Sequence, residues 1–237
     1  MIKYIDSNKM GGGKLNWLDS HFHFSFADYY NPNNIRFGVL RVLNDDIIQP
    51  GTGFDTHPHR DMEIISYIIH GKLSHKDSMG NARTVGRGEV QYMSAGTGVT
   101  HSEYNHENEE MRLAQIWILP DKKGCQPNYG DYPFAWNDRV NQWLPIATSY
   151  ENSENDAPVK IHADINMYAT SLSKGKQIDF QVKSNRQAYL VLLEGEATVN
   201  KIAMKMRDAL EIVGESITIT ADKESHLLII EMAAEEL

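Results

Sequence analysis

What most limits the fold of this chain is that its apolar residues come in short β-branched or aromatic runs cut by Gly, Asn or Asp. Residues 37–43, 63–69, 89–93, 113–119, 189–193, 216–220 and 227–232 all read as strands. No stretch longer than about ten residues keeps a 3.6-residue apolar period, so helices are expected to be few and short. An all-β sandwich or barrel follows. At 237 residues the chain suits one large domain or two small ones, each with its own core. An internal repeat decides for two. Ser66-Tyr-Ile-Ile-His-Gly-Lys resembles Leu190-Val-Leu-Leu-Glu-Gly-Glu, each a strand running into a glycine turn, and Arg87-Gly-Glu-Val-Gln-Tyr matches Arg207-Asp-Ala-Leu-Glu-Ile further on. The boundary is expected near residue 135, with a first barrel over 1–135 and a second over 136–237. The polar segment 149–158 reads as a loop near the junction or inside the second domain.

The densest chemical signal is Gly51-Thr-Gly-Phe-Asp-Thr-His57-Pro-His59-Arg-Asp-Met-Glu63, followed later by His101-Ser-Glu103. Alternate side chains of a strand share a face, so His-x-His presents two imidazoles together and His-x-Glu an imidazole and a carboxylate. Two such pairs on neighbouring barrel strands converge on one ion. Three imidazole nitrogens and one oxygen suit Fe2+, Ni2+, Cu2+, Mn2+, Co2+ or Zn2+ far better than Mg2+ or Ca2+. A six-coordinate ion held by four side chains keeps two positions open. His57, His59, His101 and Glu103 are therefore the expected ligands of one divalent transition metal. His21, His23, His70, His106, His162 and His226 read as ordinary core or surface residues. His75 reads as a plain strand position or, at most, a group standing behind a ligand.

The bulk numbers narrow the partners. Cys125 is the only cysteine, which excludes an intrachain disulfide and a thiolate cluster. With 23 Lys+Arg against 32 Asp+Glu, a net charge of −9 and no concentrated basic run, direct nucleic-acid binding is not expected. Neither a run of about 18 apolar residues nor a signal-like segment behind Met1 is present, so a cytoplasmic protein without a membrane partner is expected.

Residues 51–71 resemble the first cupin motif and 88–105 the second, in which a glycine is followed by a turn, a histidine and, four residues on, an asparagine. His101 and Asn105 keep that last spacing. Two departures matter. Measured back from Gly71, Ile64 stands where the usual motif-one glutamate would sit, which puts Glu63 off the metal. The turn Ala95-Gly-Thr-Gly-Val-Thr100 is longer than the usual one, and Glu103 just beyond it replaces the missing carboxylate. That combination resembles the pirin family, as do His21-Phe-His-Phe-Ser-Phe-Ala-Asp28, Leu40-Arg-Val-Leu-Asn-Asp-Asp46, Asp77-Ser-Met-Gly-Asn81, Ser94-Ala-Gly-Thr-Gly-Val-Thr-His101 and Gln115-Ile-Trp-Ile118. The resemblance implies two tandem cupin barrels, strong over the N-terminal half and degenerate over the second. Laid together through Gly71 and Gly195, Gln181 and Lys183 stand where His57 and His59 do, so the second barrel is expected without metal.

Resemblance to bacterial pirin-like proteins implies quercetin 2,3-dioxygenase activity, in which O2 opens the central flavonol ring and carbon monoxide leaves. The substrate is then a small aromatic molecule with O2, and Fe2+ is the first metal expected. Glu103 is the natural general base for the substrate's 3-hydroxyl. Phe22, Phe24, Phe26, Tyr29 and Tyr30 are candidates to line a flat apolar pocket, and core packing explains most of them equally well. The resemblance also allows a non-enzymatic iron protein whose redox state sets its affinity for a transcription-related or metabolic partner protein.

Overall fold

The computed structural model describes residues 1–152 and 155–234. The chain is built from strands β1 (Ile2–Ile5), β2 (Gly11–Lys14), β3 (Leu18–Phe22), β4 (Leu40–Ile48), β5 (Gly53–His59), β6 (Glu63–His70), β7 (Lys72–Asp77), β8 (Ala82–Gly86), β9 (Val90–Ser94), β10 (Val99–Tyr104), β11 (Met111–Ile118) and β12 (Asn128–Tyr132). They are followed by β13 (Leu144–Ser149), β14 (Val159–Ile161), β15 (Ile165–Leu172), β16 (Gln177–Phe180), β17 (Arg186–Glu194), β18 (Glu196–Val199), β19 (Ile202–Lys205), β20 (Ala209–Val213), β21 (Ile217–Ala221) and β22 (Ser225–Ala233). The helical segments among the described residues are two short 3₁₀ turns, Ser7–Lys9 and Trp136–Arg139. Among the described residues no helix is long and apolar enough to cross a membrane. Of the segment read as a loop, 150–152 form a turn after β13, while 153 and 154 lie outside the described residues, as do 235–237 of the second domain.

Two compact units result, and each is a cupin barrel of one seven-stranded and one four-stranded sheet. Gly11–Ala135 with Ile161–Ala163 form the first, from β12-β9-β6-β11-β4-β3-β2 and β5-β10-β7-β8. Met1–Met10, Trp136–Lys160 and the chain from Asp164 onward form the second, from β1-β20-β17-β22-β15-β13-β14 and β16-β21-β18-β19. Residues 1–10, read from the sequence as part of the first barrel, pair through β1 with β20, Ile2 opposite Ile212 and Ile5 opposite Ala209.

Local sequence explains most strands, and one exception is informative. β6 is buried at every position but His70, so it reads as a continuous apolar run rather than an alternation. β4, expected at 37–43, begins only at Leu40, because Gly38 (φ +54°) turns the chain between Phe37 and Leu40. It then runs through Asn44, Asp45 and Asp46, residues of low strand propensity. Pairing with β3 on one side and β11 on the other overrides that propensity. Asp45 is held by the Arg112 guanidinium (Nε to Oδ1, 2.8 Å).

The two glycines that anchor the repeat are both conformationally required. Gly71 has φ +76° and Gly195 φ +91°; a Cβ would stand 2.7 Å from the Met111 Cβ in the first case and 2.2 Å from the Glu224 carbonyl oxygen in the second. The second half of the repeat is shifted by one residue from its sequence match. Gly88 N–H donates to Ile68 O (2.8 Å) just as Arg207 N–H donates to Leu192 O (2.7 Å). Gly88 and Arg207, with φ +76° and +74°, are therefore the matching positions.

Inside the first barrel a polar row crosses the large sheet. Gln91 on β9, Ser66 on β6, Gln115 on β11 and Asn44 on β4 are successive cross-strand partners. The matching row of the second barrel, by the same pairings, is Leu210, Leu190, Ile229 and Tyr168. One barrel thus carries four hydrogen-bonding side chains where the other carries three aliphatic ones and a tyrosine.

Candidate metal centre

β5 and β10 are antiparallel neighbours with His57 directly opposite His101, and His59 shares the His57 face. The ring centroids of His57, His59 and His101 lie 4.5 to 4.9 Å apart. Hydrogen bonds at the far sides of two rings fix their tautomers. His57 Nδ1 lies 2.7 Å from the Asp55 carbonyl and must donate its proton there. His101 Nδ1 lies 3.4 Å from His75 Nδ1, while His75 Nε2 lies 3.0 Å from Asp77 Oδ2. The carboxylate takes the His75 Nε2–H, which leaves His75 Nδ1 to accept from His101. Both arrangements turn an Nε2 lone pair inward, and His57 Nε2 and His101 Nε2 face each other at 3.1 Å. Two lone pairs that close repel unless a cation or a proton lies between them. Burial, reinforced by the His57 charge, pushes His59 down to about 4; burial with His57, His59 and His75 pushes His101 down to about 2. A proton is thereby disfavoured at neutral pH, and the donor set fits a divalent transition metal.

Glu103 follows His101 on β10, and a bulge intervenes: His101 opposes His57, but Glu103 opposes Phe54. Its carboxylate lies over the polar row and receives three bonds from it. Oε1 accepts from Ser66 Oγ (2.9 Å) and Gln91 Nε2 (2.6 Å), and Oε2 accepts from Gln115 Nε2 (2.7 Å). Burial raises the proton affinity of Glu103 above the usual carboxylate range, against the lowering effect of Ser66, the neighbouring histidines and Gln115. Two overlapping clusters result, with ligand atoms within 4.8 Å in each: His57, His59 and His101, and His75, His101 and Glu103. Glu63 belongs to neither. It accepts from Ser94 Oγ (2.7 Å) and packs near His162.

A cavity of about 700 Å³ opens beside the histidines. Trp17, Phe22, Phe26, Phe54 and Trp117 give it an aromatic wall; His57, His59, Glu103, Gln115, Asn44 and Asp46 supply its polar groups. Of the five aromatic candidates, Phe22, Phe26 and Tyr29 line it. Phe24 is buried elsewhere in the core and Tyr30 is exposed. Aromatic edges organise the wall: Phe26 meets Trp117 at 5.4 Å, Trp17 meets Phe54 at 5.2 Å, and the Trp117 ring stands edge-on to His59 at 4.9 Å.

The sequence reading missed the residues that hold Glu103. Ser66 and Gln115 each stand as a lone uncharged amide or hydroxyl in an apolar strand, and Gln91 interrupts the apolar start of β9, which is the signal that could have marked them. His75, read as a plain strand position or at most a group behind a ligand, stands behind His101, buried, stacked on Tyr129 at 4.6 Å and bonded to Asp77. His21, His23, His70, His106, His162 and His226 belong to neither cluster.

The chain also resembles known proteins over its whole length. Residues 5–118 match the family described as pirin, and 149–232 the quercetinase C-terminal cupin domain. A quercetin 2,3-dioxygenase of Escherichia coli K12 is 41% identical over 98% of this chain and 99% of its own. A pirin-like protein of Caulobacter vibrioides is 40% identical over 98% and 100%. Among solved structures, bacterial pirin YhhW of E. coli in complex with nickel(II) superposes with a TM-score of 0.91 at 39% identity, over 99% of this chain and 100% of that one.

Proposed function

Because the chain belongs to the pirin family, we propose that it is a dioxygenase that opens the central ring of a flavonol such as quercetin with O2. One divalent transition metal would be held by His57, His59, His101 and Glu103. Fe2+ is the first ion to test, and Ni2+, present in the structure of the E. coli relative, the second. The observation that carries this reading is the meeting of two inward-facing imidazole nitrogens, a buried carboxylate and an aromatic cavity at one place. A redox-responsive regulator would have no need of such a cavity beside its metal.

When bound, the ion would supply a Lewis-acid site for the deprotonated flavonol and a partner for O2. The protein does the rest. Trp117, Phe22 and Phe26 offer an aromatic wall for a flat ring system to lie against and keep water from that face. Glu103 takes the 3-hydroxyl proton at Oε2, the oxygen that accepts one bond rather than two. Gln91, Ser66 and Gln115 hold that carboxylate in place before the substrate arrives.

Quercetin added to protein loaded separately with Fe2+, Ni2+, Cu2+, Mn2+, Co2+ and Zn2+ should consume O2 and release carbon monoxide in equal amounts with at least one ion, and a chelator should abolish both. No uptake with any of the six would defeat the reading. Metal-dependent capture of a partner protein without turnover would favour the regulator.

A further inference from the structure

Two polar atoms in the cavity have no role in the chemistry above. Asn44 and Asp46 stand on the same face of β4, each only 3% exposed, and both line the cavity. Asn44 Oδ1 and Asp46 Oδ1 are buried and make no hydrogen bond among the described residues. Asp46 is otherwise held by the Ser20 side chain, opposite it on β3. A buried acceptor without a donor keeps the cost of its lost hydration, and two adjacent ones on one cavity wall call for an explanation. The strain shows in Asp46 itself: burial, with Asp45 and Glu103 nearby and the Ser20 bond opposing, raises it to about 7. Asn44 adjoins Gln115 across the sheet, and Gln115 bonds Glu103. The pair therefore lies one strand over from the carboxylate that would meet the metal-bound hydroxyl.

We propose that Asn44 and Asp46 form a donor-seeking subsite that recognises a second hydroxyl of the ligand, so that the cavity selects polyhydroxylated aromatic rings over rings with a single hydroxyl. Asn44 Oδ1 is an acceptor, and Asp46 Oδ1 is one in its carboxylate form, which a donor from the ligand would favour. A ligand bearing O–H groups satisfies them, whereas a bare ring edge leaves them unpaired and desolvated. This rests on the flavonol reading of the site but adds to it which flavonols bind.

The test is calorimetric binding under nitrogen to nickel-loaded protein, using quercetin and 3-hydroxyflavone, which share the 3-hydroxyl and differ in the others. Wild type should prefer quercetin about ten-fold or more. In Asp46→Ala that preference should collapse to within about three-fold, chiefly through weaker quercetin binding, with nickel content unchanged. Asn44→Leu, close in size and lacking the acceptor, should lower it as well and serves if Asp46→Ala does not fold. Preference retained in the variant that folds, or equal loss of both ligands, overturns the subsite. Because no O2 is present, the outcomes separate. Selective binding without turnover in air would defeat the dioxygenase reading and leave the subsite standing, turnover with unselective variants and wild type alike would do the reverse, and no binding of either flavonol would defeat both.

Discussion

Glu103 is buried and ringed by donors, and these facts pull on its proton in opposite directions. Burial favours the neutral acid; Ser66, Gln91 and Gln115 favour the carboxylate. If Glu103 is the base, Glu103→Gln with metal restored in excess should lose about 10²- to 10⁴-fold in turnover per bound metal. The loss should shrink as pH rises, because more substrate arrives already ionised. Glu63→Gln is the control: its carboxylate bonds Ser94 outside both histidine clusters, so its effect per bound metal should be small and nearly flat with pH. Loss of metal in Glu63→Gln with normal turnover in Glu103→Gln would reverse the assignment. That His57 and His59 share a face was legible from strand parity, and the two cupin-like motifs pointed to His101 as their partner. The three donors to Glu103 were not, because they sit on β6, β9 and β11 and meet only once the register of the sheet is set.

At the scale of the strand, β1 shows what short-range signals cannot carry. Ile2-Lys-Tyr-Ile5 would serve as an edge strand in either barrel, and nothing local chooses between them. The choice is made by Asp208, fully buried ahead of β20. It accepts from Tyr4 Oη (2.7 Å), Ser7 N–H (2.9 Å) and Lys205 N–H (2.9 Å). Burial alone would raise its proton affinity, but these donors outweigh it and hold the carboxyl below the usual range. A carboxylate lowered by folding contributes stability above its unfolded value and loses it as pH falls through the folded one. Asp208→Asn should therefore release β1 at neutral pH, at a loss on the order of 2 kcal/mol, while differing little from wild type once acid has protonated Asp208. Amide protection factors over Ile2–Ile5, measured at neutral and acid pH, check this; unchanged protection in the variant at neutral pH would count against it. Most strand positions followed from β-branched runs, but the extension of β4 through three polar residues and the bulge opposite Glu103 depend on neighbours distant in sequence.

For the molecule as a whole, the two barrels share a plan and differ in filling. The repeated glycine turns made the duplication legible, and the departures of the second copy follow the same register. Where Glu103 opposes His75 in the first barrel, Ile219 opposes Val199 in the second. About one metal per chain is therefore expected, and His101→Ala should weaken its retention sharply. Elemental analysis after dialysis tests both points; two equivalents per chain, or full retention by the variant, would contradict them. The contact between Trp117 and His59 has an optical consequence. The chain has four tryptophans, and Trp117 is the one whose indole stands edge-on to the histidine trio. A paramagnetic ion arriving there would sit within quenching distance of that indole, so loading the site would dim its emission. The chain carries its own lamp at the site.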